Sequence, residues 1–308
     1  MQEDSKTGVW WAFLGVLGFS FTVPLTRVAV GANGLPPLFI GAGRSVIAAV
    51  LALIVLRATR QRLPRKSELP SLAIVAIGAV LGFPLLTSYA LTKVPANHGA
   101  VVIATLPATT AIVAALRTKT YPPRLFWIAT TLGALGAIFF AASHSGGSLT
   151  LGKEDVLLLL AVVLCALGYA EGGVVSKTIG SWQSISWALL IALPITAPLT
   201  LLSAFNLSQQ PSLSQLLAMV YLSFVSMYLA FFAWYRGLAT GSMPQVSQIQ
   251  LTQPVFSLLW SALLLSESIT GGTLLCALFV VTCSLVAIRS KNSTKTIDEK
   301  QSKPKVVK

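Results

Sequence analysis

What this chain has least of is charge. Asp and Glu together number 9 in 308 residues, and all charged residues make up only 10%. A water-soluble domain carries about a quarter charged residues, because its surface must be solvated. So little charge excludes that class and calls for a largely apolar solvent. Histidine is scarcer still: His98 and His144 stand alone, so no catalytic triad is readable. No Walker-type phosphate loop occurs, which argues against ATP-driven work by this chain alone. Cys165, Cys276 and Cys283 each lie inside an apolar run without metal-ligand spacing. Neither a disulfide, a metal nor any other cofactor is therefore expected. The start, Met1-Gln2-Glu3-Asp4, is acidic, unlike the basic head of a secretory signal.

What the chain has in abundance is apolar sequence, 55% of its residues. Runs of about 20 such residues, the length that crosses a bilayer as a helix, recur throughout. Ten spans are predicted, near 9–30, 36–57, 70–92, 97–117, 124–142, 155–176, 183–203, 213–236, 244–265 and 271–289. Pro36-Pro37, Pro122-Pro123 and Gly271-Gly272 punctuate helix starts, and the short links make neighbours antiparallel. The net charge of +13 does not indicate nucleic acid, because the basic residues sit in the gaps and the tail. With the N-terminus inside, all of the 22 Lys and Arg except Arg27, Arg44, Lys93 and Lys153 fall on one side. That asymmetry places both termini in the cytoplasm of a multi-pass protein of the inner (plasma) membrane. Trp10, Trp11, Trp127 and Trp182 fall near the interfaces, where amphipathic rings settle.

Two segments recur across the halves. Gly18 to Arg27 ends the first span as Gly168 to Lys177 ends the sixth, each running from glycine to a base nine positions on. Thr105-Leu106-Pro107 matches Thr252-Gln253-Pro254, each preceded at the same distance by Ala90-Leu91 or Gly237-Leu238. The offsets, 150 and 147, are about half the chain. Five helices start on one side and end on the other, so a second copy must lie inverted. The expected fold is an all-α membrane protein of ten transmembrane helices, two inverted five-helix repeats around a central cavity. The repeats cover 1–147 and 148–290, and 291–308 form a basic cytoplasmic tail near anionic headgroups.

This plan resembles the EamA-type members of the drug/metabolite transporter superfamily. Arg44, within Gly43-Arg44-Ser45-Val46-Ile47-Ala48-Ala49, agrees with it. So does Leu264-Leu265-Ser266-Glu267-Ser268-Ile269-Thr270, which is similar to that family's Leu-Gly-Glu-x-x-Thr end of helix nine. The resemblance runs from about 9 to 290. One departure is Thr120, which stands where the repeat offset would put an acid matching Glu267. The resemblance implies export of small organic solutes, often amino acids or related metabolites, often in exchange for protons. The expected function is a secondary transporter working by alternating access on such a substrate. Drugs, organic cations and sugar derivatives are alternatives; a lipid-handling protein or a non-transporting receptor is the alternative of another class. Membrane lipid and a small-molecule substrate are the expected partners, nucleic acid is not, and a homodimer is left open.

The candidate residues follow from charge and polarity inside spans. Glu171 is the carboxylate placed well inside one, where an ionisable group is costly and needs a cavity or a partner. It could bind a cationic group, exchange a proton, or fix packing beside Gly168, Gly172 and Gly173. Arg44 could hold a substrate carboxylate through its fork of donors, or serve structure by bonding backbone carbonyls or snorkelling. Gln245, Gln248 and Thr252 share one helical face and could bind a polar solute, whereas Gln250 points elsewhere and is read as structural. His98, near the outer end of helix four, is read either as a proton carrier or as a solvated interfacial histidine. Pro107 and Pro254, at repeat-related positions, could kink a gate by freeing backbone carbonyls. Tyr221, Tyr228 and Tyr235, spaced by seven with Trp234 nearby, form either an aromatic wall for substrate or a packing stripe.

Overall fold

The structure, a computed structural model, describes residues 2–31, 34–117, 123–144, 152–205, 207, 210–240, 249–283 and 285–286. Among them there is no strand. The helical segments, in order, are α1 (Thr7–Val30), α2 (Pro37–Ala58), α3 (Leu69–Ala90), α4 (Ala96–Ile103 with Leu106–Arg117), α5 (Arg124–His144), α6 (Lys153–Ile179), α7 (Ser181–Ala204), α8 (Leu213–Thr240), α9 (Gln250–Leu265) and α10 (Gly271–Cys283). Six of these, α1, α2, α3, α6, α7 and α8, are long and apolar enough to cross a membrane. The described parts of α9 and α10 are shorter, and α4 is split by a turn at Ala104 and Thr105.

The rods are apolar on their outsides as well as inside. Leu14, Ile54, Leu132, Leu160, Leu202 and Leu275 are all exposed, as expected of a surface that meets lipid rather than water. Burial therefore does not distinguish core from surface by polarity, and close approach between helices matters more. Small residues supply that approach. A Cβ on Gly15 would stand 2.8 Å from the Trp234 nitrogen, and one on Gly237 would stand 2.8 Å from the Ala12 nitrogen, so α1 and α8 meet backbone to backbone. The same device joins α3 to α6: Gly168 faces the Ala79 nitrogen at 2.9 Å, and Gly78 lies against the Leu164 carbonyl. Gly172 lies under the Tyr235 ring, with no room for a side chain.

The packing pattern is symmetric between halves. α1 packs on α8, α3 on α6, and α2 on α7; exchanging the first five helices with the second five maps this set onto itself. Backbone irregularities repeat at the same interval. α3 contains a π-helical stretch at Ala76–Gly82 and α8 one at Leu222–Leu229, starting 146 residues apart. The break at Ala104 and Thr105 in α4 corresponds to a 3₁₀ turn at Gln250–Thr252 in α9. Each precedes a proline, Pro107 or Pro254, whose missing N–H leaves the preceding turn one bond short. Gly180 alone joins α6 to α7, at φ +98°, a conformation that a Cβ disfavours.

Candidate functional site

α2 carries Arg44 about 10 Å inward from its start at Pro37. The side chain is fully buried. Its Nη2 donates to Thr87 Oγ1 at a long 3.5 Å, and its Nε and Nη1 have no hydrogen-bond partner among the described residues. Arg44 neither snorkels outward nor caps backbone carbonyls through those two nitrogens. A guanidinium with two unsatisfied donors in a low-dielectric interior is expensive, and such groups mark functional sites in membrane proteins.

Arg44 faces a narrow cleft between the halves. Its aromatic wall is Phe19, Tyr169 and Phe231, with Phe19 and Phe231 edge-to-face at 4.8 Å and Tyr169 within 6 Å of both rings. Thr22 and Ser226, hydrogen-bonded to each other at 2.8 Å, supply hydroxyls, and Cys165 supplies a thiol. The cleft continues past Val23 and Gln253 to a second space bounded by Pro107, Pro254 and Gln250. The Nε2 of Gln250 is buried without a partner among the described residues. The two spaces are small, about 20 Å³ around Arg44 and about 10 Å³ beyond it. Among the described residues that line either one there is no carboxylate.

Several expected residues lie elsewhere. Glu171 is buried, and its Oε2 accepts from Ser71 Oγ at 2.7 Å. It sits in the glycine-lined seam between α6 and α3, not on the cleft, because that face of α6 is the one that meets α3. Thr252 is exposed and donates to the Ile249 carbonyl, whereas Gln250 and Gln253 turn inward. The 3₁₀ turn explains both placements, since residues three apart eclipse there instead of following a 100° step. Gln245 and Gln248 lie outside the described residues.

The tyrosines of α8 diverge. Tyr221 bonds the Gly18 carbonyl of α1, Tyr228 bonds Ser186 of α7, and Tyr235 bonds the Gly168 carbonyl of α6. The π-helical stretch between them breaks the seven-residue stripe. Tyr228, Trp234 and Tyr235 are packed among helices, and the wall of the cleft is built from Phe19, Tyr169 and Phe231 instead. Phe19 and Tyr169 stand second in the two repeat segments that begin at Gly18 and Gly168, so part of that wall carried a readable signal, whereas Phe231, Ser226 and the inward turn of Gln250 carried none.

His98 is buried rather than solvated, and its Nε2 lies 2.6 Å from Asp155 Oδ1. Beside it, Glu267 accepts from the Ala96 and Asn97 backbone N–H groups, both at 2.8 Å. Thus Glu267 caps the start of α4, taking up two donors that a helix start leaves open. Thr120, its repeat counterpart, lies outside the described residues.

The EamA-like transporter family matches this chain twice, over residues 6–142 and 152–289. The chain is 41% identical over 287 residues to a protein of Bacillus subtilis (strain 168) named "Uncharacterized transporter YdeK", covering 92% of this chain and 99% of that protein. It is also similar in fold to a solved protein crystal structure, with a TM-score of 0.64 over 94% of this chain and 99% of the other, at 19% identity.

Proposed function

The chain belongs to the EamA-like transporter family, and on that footing we propose that it exports carboxylate-bearing metabolites, amino acids or close relatives, by alternating access. The observation that carries the substrate class is Arg44: a buried cation with two open donors, facing a cleft that has no carboxylate along it among the described residues. A planar fork matches a carboxylate in geometry and in charge. The aromatic wall and the amides of Gln250 and Gln253 add apolar surface and neutral hydrogen bonds for the rest of the solute. An organic cation would meet Arg44 as a like charge, which disfavours the amine and cationic-drug alternatives.

The size of the cleft supports that mechanism. Spaces of about 20 and 10 Å³ each hold no more than a water-sized body. Admitting a metabolite requires the helices to part, first on one side and then on the other. Ten crossings in two inverted sets of five would supply two related ways of parting. The symmetric packing of α1 on α8 and α3 on α6 supports that arrangement. The basic loops support an orientation with both ends in the cytoplasm of the plasma membrane.

A lateral groove of about 870 Å³ between α1, α8 and α9, lined by Leu25, Leu217, Phe224 and Leu264 with Arg27 at one side, favours a second reading, lipid handling. Counterflow in vesicles separates the two. Uptake of labelled amino acids that is competed by carboxylates and lost in Arg44→Gln supports export of carboxylates. Preferred transport of amines, or lipid movement without soluble flux, overturns it.

A further inference from the structure

The start of α4 is tied to the second half of the molecule by two carboxylates that differ in kind. Glu267 holds backbone N–H groups, which do not titrate. Asp155, on the first turn of α6, holds His98, whose imidazole is the one side chain type that ordinarily changes charge between about pH 5 and about pH 8. Both partners are buried, His98 at 5% exposure and Asp155 at 1%. Asp155 Oδ2 also accepts from the Gly152 N–H at 2.9 Å, so the carboxylate is fixed to α6, and parting the halves moves His98 away from it.

At 2.6 Å two acceptors would repel, so the contact requires a proton between Nε2 and Oδ1. A neutral imidazole with its hydrogen on Nε2 meets that need. That bond already has a charged acceptor, and an imidazolium adds a charged donor, which turns the contact into a buried ion pair. Protons have a route, since a cavity of about 550 Å³ reaches His98 from the same end. The helix that carries His98 is interrupted at Ala104 and Thr105, one turn before Pro107, a place where a bend can be accommodated.

We propose that the His98–Asp155 pair is a proton-binding latch on the outer mouth: a proton taken up from the external side binds the imidazole, tightens the pair across the two halves and keeps the mouth closed. This rests on the alternating-access reading. The surrounding charges do not replace His98 in this role. Lys93 and Glu154 line the same cavity with one charge of each sign, and Lys153 stands at the exposed start of α6. Arg27 of α1 is engaged by the Leu91 and Thr92 carbonyls. α10 contributes Thr273, the link between α9 and α10 contributes Glu267, whose two oxygens are taken up by the Ala96 and Asn97 N–H groups, and Arg124 stands at the far end of α5, while the side chain of His144 lies outside the described residues. A ligand that favours one conformation shifts the population toward it, so external acid should close the mouth.

Spin labels at Thr92 and Gly271, one on each half beside the latch, can report the opening. The protein is the full chain in lipid nanodiscs with Cys165, Cys276 and Cys283 replaced by Ser. Gly271 has open space for a label, with nothing within 4 Å of a built Cβ. Between about pH 8 and about pH 5 the distance distribution should shift from the long population to the short one. His98→Gln, whose amide can still donate an N–H to Asp155 but binds no proton, should make the distances independent of pH. Asp155→Asn should favour the long distance throughout. A wild-type distribution that stays fixed across this range, or a His98→Gln variant that shifts like the wild type, overturns the latch alone. A single short distance at every pH in all three proteins means the mouth does not open, and overturns alternating access and the latch together.

Discussion

At the scale of the residue, the roles of buried charges are settled by what they touch. Arg44 and Glu171 look alike in the sequence, each one charge inside an apolar run. In the fold Glu171 bonds Ser71 in a helix seam, whereas Arg44 keeps two nitrogens unsatisfied over a cleft. Arg44→Gln should weaken carboxylate transport by about tenfold to about a hundredfold, the worth of a charged hydrogen bond, and Arg44→Lys should restore little of it because the fork is lost. Arg44→Met should leave thermal stability in detergent equal to wild type or higher, since replacing a poorly paired buried charge by an apolar side chain relieves its desolvation. A marked loss of stability in Arg44→Met would make Arg44 structural.

A second charged contact lies outside the spans. Arg62 grips Glu68 with bonds of 2.7 and 2.9 Å. These bonds, helped by the Arg65 N–H and opposed by burial, hold the Glu68 carboxyl down at about 2. A depressed carboxyl stabilises the fold above its ordinary value of 4.5, and that contribution fades as pH falls from there toward 2. The melting temperature should therefore drop over that window, by a small amount because Arg62 is largely exposed to solvent, and Glu68→Gln should flatten the drop.

At the scale of the element, this protein depends on where helices are irregular and where they are small. The α1–α8 and α3–α6 seams leave no room for side chains at Gly15, Gly168 or Gly237. Gly168→Leu should abolish monodisperse protein on size-exclusion chromatography, while Gly271→Ala, with nothing near its Cβ, should behave as wild type. The seam at Gly168 and Gly172 was legible in the sequence, because glycines clustered inside an apolar run have few other uses. The inward turn of Gln250 was not, because a helical wheel assumes an unbroken α-helix and Gln250–Thr252 is a 3₁₀ turn. Pro254 enforces that turn. Pro254→Ala should let the helix run on, rotate Gln250 away and lower transport at normal expression.

At the scale of the whole molecule, the two halves meet along a cleft too narrow for a solute at rest. Its opening can be followed without knowing the substrate. Cys165 is the cysteine on the cleft, beside Arg44 and Tyr169. A small anionic thiol reagent should modify it slowly, and a transported carboxylate should change that rate, as mass spectrometry of the Cys165 peptide would record. Modification indifferent to every solute tested would separate the cleft from the transport path.

The sequence by itself determined the solvent, the helices and the repeat. Charge scarcity and run length are properties of composition and order, and matching segments 147 to 150 residues apart need no coordinates to be seen. Only the tertiary structure decided which polar groups share a site. Arg44, Phe19, Tyr169, Ser226 and Gln253 come from five different helices, and the π and 3₁₀ stretches shift the faces they present. His98 gained its meaning in the same way: the sequence leaves it either a proton carrier or a solvated interfacial histidine, and it acquires a partner only when folding brings Asp155, 57 residues away, to 2.6 Å.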